Sequence, residues 1–309
     1  MRIRKTLWNN DAEPIIVIMV ILMVLGTINV FSSSFVLATT DFDNPYYFLT
    51  RHVFWLVIGV AAFIFCRKVN YQRWRLMMPM LLMMTVLALV AVLLIGTSVN
   101  GAKRWLSVAG FGFQPAEFAK LLALMLAAAA LSVRVKRGQA ASIGNMQYLF
   151  ILLMAFLTEL EPDMGTACII IGVPILMAVV VGLPKWHLRG MIGAVAAAML
   201  LMITIQPYRL NRIKIMLNPW SDAQGIGYQT VQSLSTIGSG GFWGMGLGDG
   251  VSKYEYLPEA HTDFAFAIFC QEHGYVGALM VFLLFGLLIL FCVRVANRAE
   301  DEFGQMMAT

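Results

Sequence analysis

The chain has 309 residues, of which 60% are hydrophobic and only 13% are charged, whereas about a quarter of the residues of an average soluble domain are charged. This composition excludes a soluble enzyme, a disordered chain and a disulfide scaffold. The net charge of +5 needs no nucleic-acid partner, because the cytoplasmic loops of membrane proteins are basic. Long apolar runs separate the charged clusters, and the sequence therefore predicts a polytopic membrane protein.

The apolar runs are predicted to be helices of an all-α transmembrane bundle. Residues 15–30 are apolar on nearly every face, unlike the alternating strands of outer-membrane barrels. Such a segment satisfies its backbone in lipid as a helix, and a spanning helix takes about 20 apolar residues. The eight predicted spans lie at about residues 14–37, 52–66, 76–95, 116–132, 147–160, 164–182, 191–207 and 264–293.

The distribution of Lys and Arg predicts the orientation of the bundle. If the N-terminus is cytoplasmic, the inner segments hold twice as many Lys and Arg residues as the outer ones, which is the bias of the positive-inside rule. The same threading places loops 96–115 and 208–262 outside. The second loop is far longer than an ordinary connection, and loops of that size are usually functional or disordered. Its aromatic residues, such as Trp220 and Trp243, argue against disorder.

An acid and an amine stand at the entrance of the fourth predicted span. Pro115 suits the first turn of a helix, and the spacing of Glu117 and Lys120 places both on one helix face. A charge about one turn inside a span is costly. The pair is either an internal ion pair that fixes helix packing or the lining of a polar cavity near a substrate headgroup.

Three carboxylates, Glu159, Glu161 and Asp163, crowd the turn between spans five and six. They repel one another, so a divalent ion or an arginine of the long loop is expected nearby. Alternatively they are solvated, and Asp163 caps the sixth helix.

The glycine-rich stretch 238–250 matches no nucleotide fingerprint and is interpreted either as a loop that folds back onto the membrane or as a flexible hinge.

The most informative stretch is residues 257–264, which ends the long loop and begins the last predicted span. One interpretation makes Thr262 or Asp263 the N-cap of that helix. The other makes Asp263 a partly desolvated carboxylate at lipid headgroup depth, where it could serve as a general base. A cap alone does not call for Glu259, His261 and Asp263 together.

Five segments make the chain resemble the SEDS family (shape, elongation, division and sporulation). They occur in the family's order and spacing over nearly the whole chain, and the last is more similar to the division members than to the elongation members. The segments are NGAKRWLSVAGFGFQPAEFAK (100–120), EPDMGT (161–166), NPWSD (218–222), GIGYQTVQSLSTIGSGGFWGMGLG (225–248) and KYEYLPEAHTDF (253–264).

The resemblance implies a peptidoglycan glycosyltransferase that polymerises lipid II at the outer face of the bacterial cytoplasmic membrane during cell division. It also implies a class B penicillin-binding transpeptidase, other divisome proteins and membrane lipids as partners. The family's essential aspartate corresponds to Asp263 and its loop tryptophan to Trp105, while Glu117 and Lys120 match its conserved acid and lysine. SEDS proteins usually have ten spans, so we expect residues 1–309 to be one integral membrane domain that lacks two C-terminal helices.

Residues and resemblance together predict an inverting glycosyl transfer. Asp263 would take the proton from the 4-hydroxyl of the acceptor sugar, which attacks the anomeric carbon of the lipid-linked donor. The pyrophosphate leaving group needs cations, which could include a divalent Mg or Mn ion. Besides Trp105, Glu117 and Lys120, the candidate substrate-binding residues are Lys103, Arg104, Arg209, Arg212, Lys253, Glu259 and His261.

Three alternatives stay open at this point. The arginines could anchor lipid phosphates instead of substrate. The protein could be a transporter that moves lipid II between leaflets, although such a path needs polar residues at several depths and spans two, three and seven carry almost none. It could also be a non-catalytic scaffold for a transpeptidase.

Overall fold

The computed structural model describes residues 12–99, 102–108, 111–193, 214–250 and 257–308. Nine helices are assigned within these ranges, with further helical residues at 185–193 and 214–217 and a 3-10 turn at Pro219–Asp222. The helices are α1 (Ala12–Phe42), α2 (Tyr47–Lys68), α3 (Tyr71–Ile95), α4 (Pro115–Lys136), α5 (Met146–Leu160), α6 (Met164–Val181), α7 (Tyr228–Ser239), α8 (Ala265–Asn297) and α9 (Glu302–Ala308). The strands are β1 (Thr97–Val99), β2 (Ala102–Val108) and β3 (Phe111–Phe113).

The prediction of a helical, multi-pass membrane protein is confirmed. Six helices in the described residues, α1 to α4, α6 and α8, are long and apolar enough to cross a membrane. The fifth predicted span corresponds to α5, which is apolar but shorter. Most of the seventh, 191–207, lies outside the described residues, so the number of eight spans stays a prediction.

The chain divides into two compact units within the predicted single domain. The first unit comprises Met1–Cys66 and Val195–Cys292, and the second comprises Arg67–Ala194 and Val293–Thr309. The boundaries fall inside α2 and α8, so both units contain parts of these helices. The candidate site residues are distributed over both units, and each group is described within its own unit.

In the first unit, polar side chains join α1 to α8 inside an otherwise apolar environment. The Asn29 amide donates to the carbonyl of Ala265 at 3.0 Å, and the Ser32 hydroxyl donates to the buried carboxylate of Glu272. Such bonds are strong positional constraints in lipid, because an unpaired polar group there is costly. They fix the beginning of α8 against the middle of α1.

In the second unit, α4 lies at the centre of the core and packs against α3, α5, α6 and α9. Its alanines 127–130 are all buried, and such small residues allow neighbouring helices to approach closely. The helix begins at Pro115, as the sequence predicts.

Asp163 is the N-cap of α6, since its carboxylate accepts hydrogen bonds from the backbone amide and the hydroxyl of Thr166. The capping interpretation of Asp163 is therefore confirmed.

Candidate functional site

In the second unit, the loop between α3 and α4 folds into a three-stranded antiparallel sheet, which the sequence analysis did not anticipate. Strand β2 lies in the middle, paired with β1 and β3. The register shifts at Arg104, since Lys103 pairs with Ser98 whereas Trp105 pairs with Thr97, and such an extra residue interrupts the regular alternation of side chains along a strand. Lys103 is exposed, and Trp105 is 37% exposed. A Cβ at Gly112 would lie 3.2 Å from the Trp105 ring, so the absence of a side chain at Gly112 lets the indole pack on the strand.

The predicted acid and lysine of α4 form an ion pair. Lys120 Nζ lies 2.8 Å from Glu117 Oε1, and their side chains are 27% and 55% exposed, respectively. Lys120 is thus partly buried in a helix apolar enough to span a membrane, where an unpaired charge would be costly. The geometry is compatible with both interpretations of the pair, and both residues stay candidates for substrate binding.

The turn between α5 and α6, residues 161–163, receives side chains from two other elements. The Arg104 guanidinium donates to the carbonyl of Pro162, and the Gln114 amide donates to Asp163 Oδ2 at 3.4 Å. Among the described residues, Arg104 of β2 is the positive side chain that reaches this turn, and the arginines of the long loop, Arg209 and Arg212, lie outside the described residues. Glu161 is only 1% exposed. Burial and the neighbouring Asp163 raise the pKa of this carboxyl, which lies outside the spans, to about 7, against the opposing effect of Arg104.

The stability of the protein is expected to depend on Glu161 between pH 4.5 and 7. An acid whose pKa is raised by folding binds its proton more tightly in the native state, so stability falls as the pH rises through this window and levels off above it. The shift from 4.5 to about 7 corresponds to at most about 3 kcal/mol. The apparent unfolding temperature of Glu161→Gln in detergent should therefore exceed that of the wild type at pH 8 and approach it at pH 5. If the difference in unfolding temperature between Glu161→Gln and the wild type were the same at pH 5 and pH 8, the raised pKa of Glu161 would be contradicted.

In the first unit, residues 257–264 form a compact turn before α8. The backbone amides of Thr262 and Phe264 both donate to the carbonyl of Glu259, and the Thr262 hydroxyl donates to Glu259 Oε2 at 2.8 Å. Buried Leu257 and Ala260 pack against Ala267 and Ile268 of α8. Apolar contacts thus anchor this turn, and the polar residues remain on its surface.

Asp263 stands at the end of this turn, just before α8. Helix α8 begins at Ala265, so the prediction that Thr262 or Asp263 is its N-cap is wrong. The backbone bonds to Glu259 already organise the chain here. Asp263 is exposed, so the expected partial burial is not observed. Among the described residues its carboxylate accepts no hydrogen bond, which leaves both oxygens available to a proton or a ligand.

A cavity of about 550 Å³ opens beside the same turn, which is within the range of small-molecule sites. Glu259 and His261 line it on one side, opposite Ser33, Thr40 and Asp41 of α1. Two predicted site residues therefore border a common cavity, and Asp263 follows two positions after His261.

The break in α8 was missed by the sequence analysis. Gly274 has φ 64° and ψ −165°, which interrupts the helix. The glycine-rich segment covers the break: the amides of Met245 and Gly246 donate to the carbonyls of Gln271 and Glu272. A signal for this region was present, because Glu272 is the one acid in the apolar run 264–293.

The glycine-rich segment also forms hydrogen bonds with the residues of α8 that follow Gly274. The carbonyls of Gly241 and Phe242 accept from the amides of Tyr275 and Val276, and the amide of Gly248 donates to Glu272 Oε1 at 3.1 Å. The polar backbone groups freed by the interruption are therefore satisfied, as a membrane-spanning helix requires. This geometry favours the interpretation of the segment as a loop that folds back, over that of a flexible hinge.

Some predicted residues cannot be placed. Arg209, Arg212 and Lys253 lie outside the described residues. Within the described part of the chain, no group of three or more His, Cys, Asp or Glu residues is arranged to hold a metal ion. The described residues therefore do not supply a ligand set for the expected divalent cation.

The comparisons with known proteins agree with this fold and with these motifs. A family described as cell cycle proteins, named after FtsW, RodA and SpoVE, matches residues 13–309. The chain belongs to this family. The resemblance to the SEDS proteins drawn from the five sequence segments is thereby confirmed.

Relatives with assigned names match most of the chain. Stage V sporulation protein E of Bacillus subtilis is 37% identical over 305 residues, which cover 95% of this chain and 81% of that protein. A probable peptidoglycan glycosyltransferase FtsW of Trichlorobacter lovleyi is 35% identical over 311 residues, covering 99% and 81%, respectively.

A solved structure shares the fold. It is described as "Structural coordination of polymerization and crosslinking by a peptidoglycan synthase complex", and one of its chains is similar with a TM-score of 0.70 and 27% identity. The similarity covers 93% of this chain and 80% of that one. The helical membrane fold is therefore shared over nearly all of the present chain.

Proposed function

We propose that this chain is a peptidoglycan glycosyltransferase that polymerises lipid II at the outer face of the bacterial cytoplasmic membrane during cell division. Family membership and relatives named as such enzymes support the activity. The observation that carries the assignment of the site is the Asp263 carboxylate, exposed at the start of a membrane-spanning helix and adjacent to the turn that borders a cavity. A membrane-spanning helix begins at the boundary between lipid and water, and the headgroup of a lipid-linked sugar lies at the same boundary.

Asp263 is the proposed general base. Its carboxylate accepts the proton of the acceptor sugar's 4-hydroxyl while that oxygen forms a bond to the anomeric carbon of the donor. The bond between this carbon and the pyrophosphate oxygen breaks, and undecaprenyl pyrophosphate leaves with both bonding electrons. Attack from the face opposite the leaving group inverts the anomeric configuration. A carboxylate without internal hydrogen bonds is free to accept this proton.

Cationic side chains are proposed to stabilise the pyrophosphate as its charge develops. Lys103 and Trp105 are both exposed on β2, and the indole of Trp105 offers an apolar surface to a sugar ring. Lys120 stands near the start of α4, paired with Glu117. Arg209, Arg212 and Lys253 complete the proposed set, with Glu259 and His261 at the cavity. No step is assigned to a metal ion, since the described residues present no ligand set for one.

The proposed setting is the cytoplasmic membrane with the N-terminus inside. The excess of Lys and Arg in the inner segments supports this orientation, which places residues 257–264 outside. The related chain comes from a complex that coordinates polymerisation and crosslinking. A class B penicillin-binding transpeptidase is therefore the proposed partner, within a set of divisome proteins and membrane lipids.

The purified chain, reconstituted with a class B transpeptidase and fluorescent lipid II, tests the proposal. We expect glycan strands of increasing length on a gel, and no strands when the chain is omitted. Absence of polymer would overturn the proposal. Movement of lipid II between the leaflets of proteoliposomes without polymer would then indicate a transporter, and neither activity would indicate a scaffold.

A further inference from the structure

Two cavities meet at one end of the second unit, where α3 and α5 begin and α4 ends. The larger measures about 510 Å³ and is lined by these three helices. The smaller measures about 340 Å³ and is lined by α4, by Arg75 of α3 and by residues 300–303, which lead into α9. Because Arg75 and Val133 line both cavities, the two spaces are adjacent and can take one elongated molecule.

The larger cavity is an apolar groove that follows the helices into the membrane. From Arg75 to Leu82 on α3, and from Leu126 to Val133 on α4, its lining extends over seven residues, or about 10 Å along the helix axis. One leaflet of the hydrocarbon core is about 15 Å thick, so the groove suits the first part of an acyl chain. The apolar lining residues are Met78, Pro79, Leu82, Leu126, Ala129, Val133, Met146 and Phe150.

The segment before α9 is held against α3, so the smaller cavity has a defined wall. Asp301 Oδ1 accepts hydrogen bonds from the Tyr71 hydroxyl at 2.7 Å and from the Gly304 amide at 2.9 Å. Phe303 is 1% exposed, and the Arg75 guanidinium lies 5.5 Å from the centre of its ring, within the range of a cation–π contact. These contacts hold Arg75 where the two cavities meet.

The smaller cavity presents charges of both signs. Arg75 and Lys136 supply cations from α3 and α4, whereas Glu300 and Glu302 supply carboxylates from the segment before α9. Lys136 and Glu300 are exposed, and within the described ranges neither forms an ion pair. The third carboxylate of the lining, Asp301, is already engaged by its hydrogen bonds. The other charges are therefore available to a ligand.

A ligand that fits both cavities has an apolar chain and a headgroup with one negative and one positive charge. A phosphate group suits Arg75 and Lys136, because charge-assisted hydrogen bonds to phosphate are strong. A primary ammonium group suits the carboxylates of Glu300 and Glu302. A purely anionic headgroup would bring the same carboxylates close to a like charge, which is unfavourable. Basic pockets at the cytoplasmic ends of spans bind anionic headgroups, and here the acids change that preference.

We propose that the two cavities form a binding site for one phosphatidylethanolamine molecule. Its phosphate binds Arg75 and Lys136, its ammonium group donates to Glu300 or Glu302, and one acyl chain occupies the groove of α3, α4 and α5. In the proposed orientation the site faces the cytoplasmic leaflet, whereas lipid II is polymerised at the outer face. The bound lipid is therefore a ligand that joins three helices and the segment before α9, and not a substrate.

Native mass spectrometry of the full chain in detergent measures the selectivity of the site. Phosphatidylethanolamine and phosphatidylglycerol with identical acyl chains are titrated separately, and the fraction of protein that carries one lipid is recorded. We expect phosphatidylethanolamine to bind at least about threefold more tightly, as one or two exposed ion pairs provide. Equal affinities for the two lipids would mean that the cavity holds only ordinary surrounding lipid, and the proposal would fail.

Lys136→Gln tests the phosphate contact. The substitution should weaken the binding of phosphatidylethanolamine about threefold, and the fold should tolerate it because Lys136 is exposed. Arg137→Gln is the matched control, since Arg137 is the next residue, is also exposed and lines neither cavity. This control should bind the lipid as the wild type does. The same affinity in both variants would contradict the placement of the phosphate.

The double substitution Glu300→Gln and Glu302→Gln tests the ammonium contact. It should weaken the binding of phosphatidylethanolamine and strengthen that of phosphatidylglycerol, because the ammonium loses its partners and the anionic headgroup loses its repulsion. The preference between the two lipids should therefore disappear. A preference as large as that of the wild type would show that the carboxylates do not select the headgroup.

Val133→Trp tests the groove without changing a charge. The larger side chain, placed where the two cavities meet, should weaken both lipids by the same factor, and unchanged affinities would show that no acyl chain lies there. The unfolding temperature in detergent without added lipid identifies any variant that does not fold, and the selectivity of the wild type tests the proposal without a variant. None of these measurements uses lipid II, so their outcome is separate from that of the polymerisation assay.

Discussion

Replacing Asp263 with asparagine is expected to abolish glycan polymerisation without unfolding the protein. Asparagine has nearly the same shape but cannot take up the acceptor's proton, and loss of a general base typically slows a reaction by about 10²-fold to 10⁴-fold. The fold should tolerate the change, since Asp263 is exposed and its carboxylate accepts no hydrogen bond within the described residues. The measurement is the initial rate of strand formation from fluorescent lipid II.

Asp43→Asn is the matched control for this substitution. Asp43 is also exposed and does not line the cavity beside residues 257–261. Its φ of 52° is one that asparagine adopts as readily as aspartate does. Asp43→Asn should keep the wild-type rate. If Asp263→Asn makes polymer as fast as Asp43→Asn, Asp263 is not the base.

The substitution Gly274→Ala is expected to destabilise the protein strongly. The backbone of Gly274 adopts φ 64° and ψ −165°, a conformation that is essentially restricted to glycine. An added Cβ would lie 2.6 Å from the carbonyl oxygen of Phe242, so the glycine-rich segment would have to move away from the break. We expect a loss of about 3 kcal/mol or more, measured as a lower apparent unfolding temperature in detergent.

Gly286→Ala is the control in the same helix. Nothing lies within 4 Å of a Cβ at this position, and alanine is favoured over glycine inside a helix by about 1 kcal/mol. Gly286→Ala should unfold at the wild-type temperature or slightly above it. Equal unfolding temperatures for the two variants would show that α8 is not interrupted at Gly274.

Features set by local chemistry could be predicted from the sequence. Proline at position 115 begins α4 and aspartate at 163 caps α6, because both effects depend on residues within one helical turn. Long apolar runs likewise predicted the membrane helices. The capping prediction for Asp263 was wrong because Glu259, with its positive φ, gathers the backbone bonds of the turn and shifts the helix start to Ala265.

Features that depend on distant residues could not be predicted in the same way. The sequence analysis foresaw that the carboxylates near Glu161 need a positive neighbour, but Arg104 is 58 residues from its partner Pro162 in the chain. Composition alone could not select it over other arginines. The sequence likewise left open whether the glycine-rich segment is a loop that folds back or a flexible hinge. Its conformation depends on hydrogen bonds to Gln271 and Tyr275 of α8.

The interruption of α8 has a consequence for how the chain enters the membrane. A helix broken in mid-course cannot pair all of its own amides and carbonyls, and lipid offers no substitute partner. Here the partners are supplied by residues 241–246, which precede α8 in the chain. Since synthesis proceeds from the N-terminus, these partners leave the ribosome first and are already available when the incomplete helix is inserted.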